Sequence, residues 1–147
     1  MLPFAAIDTG DTAWVLASAA LVLLMTPGLA LFYGGMVRAK GVINMMLMSL
    51  VTITVVSSIW VLFGYDLAFG DSGSSIIGSL AFGDLANLMG HLTNNGGEYG
   101  VPELAFSGFQ LMFAIVTVAL ISGAVADRAR FAAWTVFAGA WLTVVYL

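Results

Sequence analysis

The chain has 147 residues, 61% of them hydrophobic and only 8% charged, with a net charge of −4 and no cysteine. So few charges cannot cover a water-facing surface, since a soluble domain usually carries about 25% charged residues. The composition therefore selects a membrane protein and excludes a disulfide framework, thiolate chemistry and a basic nucleic-acid surface.

The N-terminal MLPFAAIDTGDTAW carries no Lys or Arg, so it lacks the positive region that opens a signal peptide. Residues 12–37 form the first uncharged run, long enough to cross a hydrocarbon core of about 30 Å with tilt. Asp11 stands before it as an N-cap candidate. Pro27-Gly28 interrupts the run, a break that membrane helices tolerate when neighbours satisfy the freed groups. Residues 42–65 form a second span, with Asn44 near its start placed to bond backbone or an adjacent helix.

Residues 66–103 read differently. GDSGSS and TNNGGEYG are loop signals. The middle of this loop, 75–82, is too short to span and suits at most an interfacial helical turn. His91, the only histidine, falls here and reads as a solvated side chain. A third span covers 104–126, with Pro102 and Glu103 suited to its start. A fourth covers 131–147, at the short limit for crossing. Gly34-Gly35, Ala119-x-x-x-Gly123 and Ser122-x-x-x-Ala126 are small-residue sites suited to close helix packing. Asp127-Arg128 reads as a local charge pair or a helix-end contact.

All four basic residues, Arg38, Lys40, Arg128 and Arg130, lie in the two short connections. The positive-inside rule makes these cytoplasmic and puts the N-terminus and the 66–103 loop outside. The expected fold is all-α: a polytopic helix bundle of four transmembrane helices, residues 1–147 acting as a single transmembrane domain. No ionisable residue falls within a span, which removes proton relays and voltage sensing. No nucleophile–base pair or metal-ligand cluster can be assembled at membrane depth, so neither an enzyme nor a metal or other cofactor is expected.

What the third span does offer is FSGFQLMF, residues 106–113. Phe106, Phe109 and Phe113 share one helical face. Phe109 lies roughly 8 Å and Phe113 roughly 14 Å below the outer start. A ring face attracts a cation by about 0.5–2 kcal/mol, and a ring can also plug a narrow passage. The same spacing serves rings that face lipid or fill gaps between helices, and Phe106, nearest the interface, suits packing best. Gln110 points about 100° away from Phe109 and suits a bond to a neighbouring helix.

Two stretches extend this reading. TPGLALFYGGMVRAKGVINMM (26–46) and FQLMFAIVTVALISGAVADRARF (109–131) closely resemble the ammonium transporter family, related to methylammonium permeases and Rhesus proteins. Lys40-Gly41 departs from the usual Lys-Asn or Lys-Ser pairing, a turn change expected to be tolerated. The resemblance implies the first part of an eleven-helix transporter with inverted repeats, a multi-pass protein of the cell membrane. It implies ammonium or ammonia as the transported species, a homotrimer in the lipid bilayer, and a cytoplasmic face that admits a PII-type signal protein. By motif, Phe109 and Phe113 match the two stacked phenylalanines below that family's outer recruitment site, Phe113 being the one nearest it. The family's paired pore histidines have no counterpart here, and His91 lies in a loop. The expected function is ammonium transport as the N-terminal part of such a channel. The alternative is a non-transporting assembly or ammonium-sensing module derived from the family.

Overall fold

The computed structural model describes residues 6–70, 78–79, 84–93 and 99–147. Four helices dominate: α1 (Thr9–Met36), α2 (Val42–Phe69), α3 (Glu103–Val125) and the shorter α4 (Phe131–Tyr146). The first three are 28, 28 and 23 residues long and apolar enough to cross a membrane. Two short strands, β1 (Ala6–Ile7) and β2 (Tyr99–Gly100), pair in parallel. Most of the expected turn at 75–82 lies outside the described residues. A 3-10 turn at Asp84–Leu88 follows it.

The start of α1 is set by Asp8, not Asp11. Asp8 accepts the Asp11 N–H on Oδ1 at 2.9 Å, and its own N–H donates to the Gly100 carbonyl at 3.0 Å. The strand pairing thus fixes where the chain enters the helix, and Asp11 becomes a first-turn acid that suits the helix dipole. The helix continues through Pro27 to Met36, because lipid and neighbouring helices leave the chain no better way to satisfy its backbone.

Helix α2 runs on to Phe69, past the uncharged stretch, and so includes Asp66, which is buried. The expectation that no helix interior carries a carboxylate fails at this outer turn. The cause is a π-helical stretch at Trp60–Gly64. An inserted residue brings positions five apart onto one face. Trp60 then meets Tyr65 edge-on at 6.0 Å, and Tyr65 stacks on Phe69 at 5.3 Å.

The helices alternate in direction, and the two basic turns lie at one end. There, Gly41 abuts Asp127. At the other end the Tyr65 hydroxyl donates to Glu103 Oε1 at 2.9 Å. The core between them is built from Met48, Val56, Trp60, Ala114, Ile115, Val118, Trp134, Ala138 and Leu142. Small residues set the helix approaches. Gly34 leaves room for the Met46 side chain, Gly139 for Ile59 and Val55, and Gly123 for the Tyr33 ring. Gly35 has nothing facing it. Ser122 bonds Ser49 across the α2–α3 contact at 3.3 Å, both fully buried. Asn44 turns to its own helix, with Nδ2 at 3.4 Å from Met48 Sδ.

Buried polar groups near the outer end are paired as well. The Trp60 indole N–H donates to Ser107 Oγ at 3.2 Å, and both residues are buried. Replacing Ser107→Ala removes the acceptor and leaves the indole dry and unpaired. The expected cost is about 1 kcal/mol, read as a lowered midpoint in thermal unfolding of the purified protein. An unchanged midpoint would remove this bond from the account of the α2–α3 contact.

Candidate functional site: the aromatic stripe of α3

Helix α3 buries Ser107, Ala114, Ile115, Val118, Ala119 and Ser122 against α1, α2 and α4. The side carrying Phe109 and Phe113 turns away from that core. The two rings meet edge to face, centroids 5.0 Å apart and planes at 78°. Phe113 is 38% exposed and Leu120, two turns further in, is 50% exposed. Four helices therefore leave this stripe uncovered while they cover the opposite face. No charged residue lies on α3 between Glu103 and Asp127. Thr117 follows Phe113 by one turn and gives its hydroxyl to the Phe113 carbonyl at 2.7 Å.

Phe106 has a different environment. Its ring meets Phe69 of α2 edge-on at 5.6 Å. It belongs to the packed cluster of Trp60, Tyr65 and Phe69, as its place near the interface suggests. Glu103, at the outer end of the same helix, accepts from Tyr65, and its other oxygen lies 3.8 Å from His91 Nδ1. His91 itself is largely exposed, and no group of three or more metal-ligating side chains occurs among the described residues.

Other expectations resolve in detail. Gln110 takes no hydrogen-bond partner among the described residues; its side chain lies beside the stripe instead of bridging helices. Asp127 and Arg128 form no ion pair among the described residues. Asp127 lies instead against Gly41 at the start of α2, which is the helix-end contact. The change to glycine at 41 makes room for that carboxylate.

The outer cluster of Trp60, Tyr65 and Phe69 is the feature that pattern reading missed. At spacings of five and four the three residues share no ordinary helical face. Only a π-helical turn aligns them, and a run of aromatic residues flanking Gly64 is the one hint of it in the sequence.

A multi-pass α-helical membrane protein is the class defined by these long apolar helices, the basic turns at one end and an uncharged aromatic stripe. The chain belongs to the Ammonium Transporter Family, whose profile matches residues 13–147. It is 52% identical over 152 residues to an ammonium transporter of Mycobacterium tuberculosis, covering 95% of this chain and 32% of that protein. An ammonium transporter of Bacillus subtilis is 47% identical over 139 residues, covering 93% of this chain and 33% of the relative. The crystal structure of Candida albicans Mep2 superposes with a TM-score of 0.74 at 32% identity, covering 95% of this chain and 30% of that one. The chain thus spans about one third of the length of the relatives it matches.

Proposed function

We propose that this chain forms part of the wall of an ammonium conduction path, and that Phe109 and Phe113 are the rings that close its outer entrance. The observation that carries the reading is the edge-to-face ring pair on the uncovered stripe of a charge-free helix. A ring edge and a ring face in contact make a plug of low polarity. Exposed π surface on its outer side attracts a small cation without a fixed countercharge. A fixed carboxylate at the same depth would hold ammonium instead of passing it on, and desolvating one there is costly. The names of the relatives support ammonium as the substrate and transport, not catalysis, as the activity.

The packing of all four helices on a shared core supports residues 1–147 as one transmembrane domain. Helix α1 leaves Trp14, Leu21, Leu24, Leu31 and Met36 exposed. This apolar face suits lipid or a neighbouring protomer, as a homotrimer requires. The inner end, with Arg38, Lys40, Arg128 and Arg130, suits an acidic partner surface such as a PII-type signal protein would have to present.

The test is methylammonium uptake by the intact protein with Phe113→Ala. Loss of the ring's attraction is expected to raise the half-saturating concentration by about 2- to 30-fold and to loosen discrimination against larger amines. Unchanged uptake and unchanged selectivity would remove Phe113 from the path. An intact protein that binds methylammonium but passes none would favour a sensing module instead.

A further inference from the structure

Helix α2 begins without a side chain to cap it. Its N-cap is Gly41, at φ −94° and ψ −14°, and no side-chain hydrogen bond is made from that position. The first amides of a helix have no partner within the helix, and a Ser, Thr, Asp or Asn at the N-cap ordinarily accepts one of them. At Gly41 the place of a Cβ is already taken. The Asp127 carboxylate stands there, with Oδ1 far inside contact distance of where that carbon would be and Cγ at 3.4 Å from it.

The backbone delivers Asp127 to this place. Helix α3 tightens into a 3-10 turn over Ser122–Val125. Arg128 N–H then reaches back to the Val125 carbonyl at 3.1 Å. Between them Asp127 adopts φ +59°, a left-handed conformation that aspartate tolerates better than most residues. That reversal turns the side chain toward α2. No ion pair draws it elsewhere among the described residues.

We infer that Asp127 caps α2 from another part of the chain. Its carboxylate takes the role of the side chain that Gly41 lacks, and it ties the inner turn before α2 to the inner turn after α3. The negative charge also sits at the positive end of the helix dipole. Glycine at 41 is required by its neighbour, since its own φ is one that any residue adopts. The two basic turns, one with Arg38 and Lys40 and the other with Arg128 and Arg130, are then held in register by a single anion between them. This holds whether or not the protein transports.

Hydrogen exchange of the intact protein in lipid nanodiscs tests it, read on the amides of residues 42–45. Asp127→Ala is expected to speed their exchange about five- to tenfold, with the amides of residues 52–56 unchanged. Asp127→Asn keeps an acceptor of the same shape and stays within about twofold of the parent. Gly41→Ala displaces the carboxylate and matches Asp127→Ala, and combining the two adds nothing further. Gly41→Asn in the Asp127→Ala background supplies a cap at residue 41 and restores protection. Unchanged exchange in Asp127→Ala, effects of the Gly41→Ala and Asp127→Ala changes that simply add, or failure of Gly41→Asn to rescue would each overturn the assignment.

Discussion

Trp134→Ala is expected to cost the protein about 3 kcal/mol of stability, at the low end of what truncating a buried tryptophan costs in soluble cores. Trp134 is 1% exposed, and its indole N–H donates to the Met48 carbonyl at 2.7 Å, which pins α4 to α2. In a bilayer the transfer part of the usual penalty shrinks, because helices that separate remain in an apolar solvent. The void remains, along with the lost dispersion contacts of a large ring. The Met48 carbonyl keeps its helical partner, so no orphaned acceptor adds to the loss. Trp134→Phe should keep most of the packing and forfeit the hydrogen bond alone, costing about 1 kcal/mol. Trp14→Ala is the control: that ring is 75% exposed, and its removal should stay within about 0.5 kcal/mol. Thermal unfolding of the three variants in one detergent ranks them. If Trp134→Ala and Trp14→Ala melted together, α4 would not be held to the bundle through this ring.

The contrast between these two tryptophans shows where sequence reading stops. Both sit in apolar helices, and composition treats them alike. That the helices exist follows from the bilayer, which demands long runs without charge and satisfies their backbone only internally. Runs of that kind are visible in any sequence that has them. The edge-to-face pairing of Phe109 with Phe113 is equally local, since four residues separate neighbours on a helix. Helix ends depend on contacts made by distant residues. Asp8 wins over Asp11 because Gly100 holds its backbone. Helix α2 outlasts its apolar stretch because a π-helical turn aligns Trp60, Tyr65 and Phe69, and no residue-type rule announces such a turn. The buried Asp66 follows from the same extension.

Direction of facing is the other thing pattern cannot supply. Phe106 and Phe113 point almost the same way around α3 by periodicity. Yet Phe106 meets Phe69, while Phe113 meets only Phe109 among the aromatic rings. The difference lies in how far α2 reaches across the outer end of α3, which belongs to the packing of two helices and to neither alone. The open stripe below Phe109 is what makes these rings available to a solute, and α2 closes the same stripe one turn higher.

The inner end of that packing has its own tightest point, and a bulky residue there should be the most damaging single addition to the bundle. A Cβ at Gly123 would lie 2.6 Å from Tyr33 Cζ and 2.9 Å from its hydroxyl. The Tyr33 hydroxyl meanwhile donates to the Leu120 carbonyl at 3.0 Å, so the ring cannot swing aside without losing that bond. Gly123→Leu should therefore cost about 3 kcal/mol through overpacking, and Gly123→Ala about 1–2 kcal/mol as the ring tip shifts. The mechanism makes a specific second claim. Tyr33→Ala empties the space that the new side chain needs, so Tyr33→Ala/Gly123→Leu should be more stable than Gly123→Leu alone, with a coupling of about 1–2 kcal/mol. A purely local effect on helix propensity would predict the opposite, because removing a glycine from a helix is by itself favourable by about 0.5–1 kcal/mol. Double-mutant thermal unfolding decides between them. Additive effects at the two positions would mean that Tyr33 does not occupy the space over Gly123 in the folded protein.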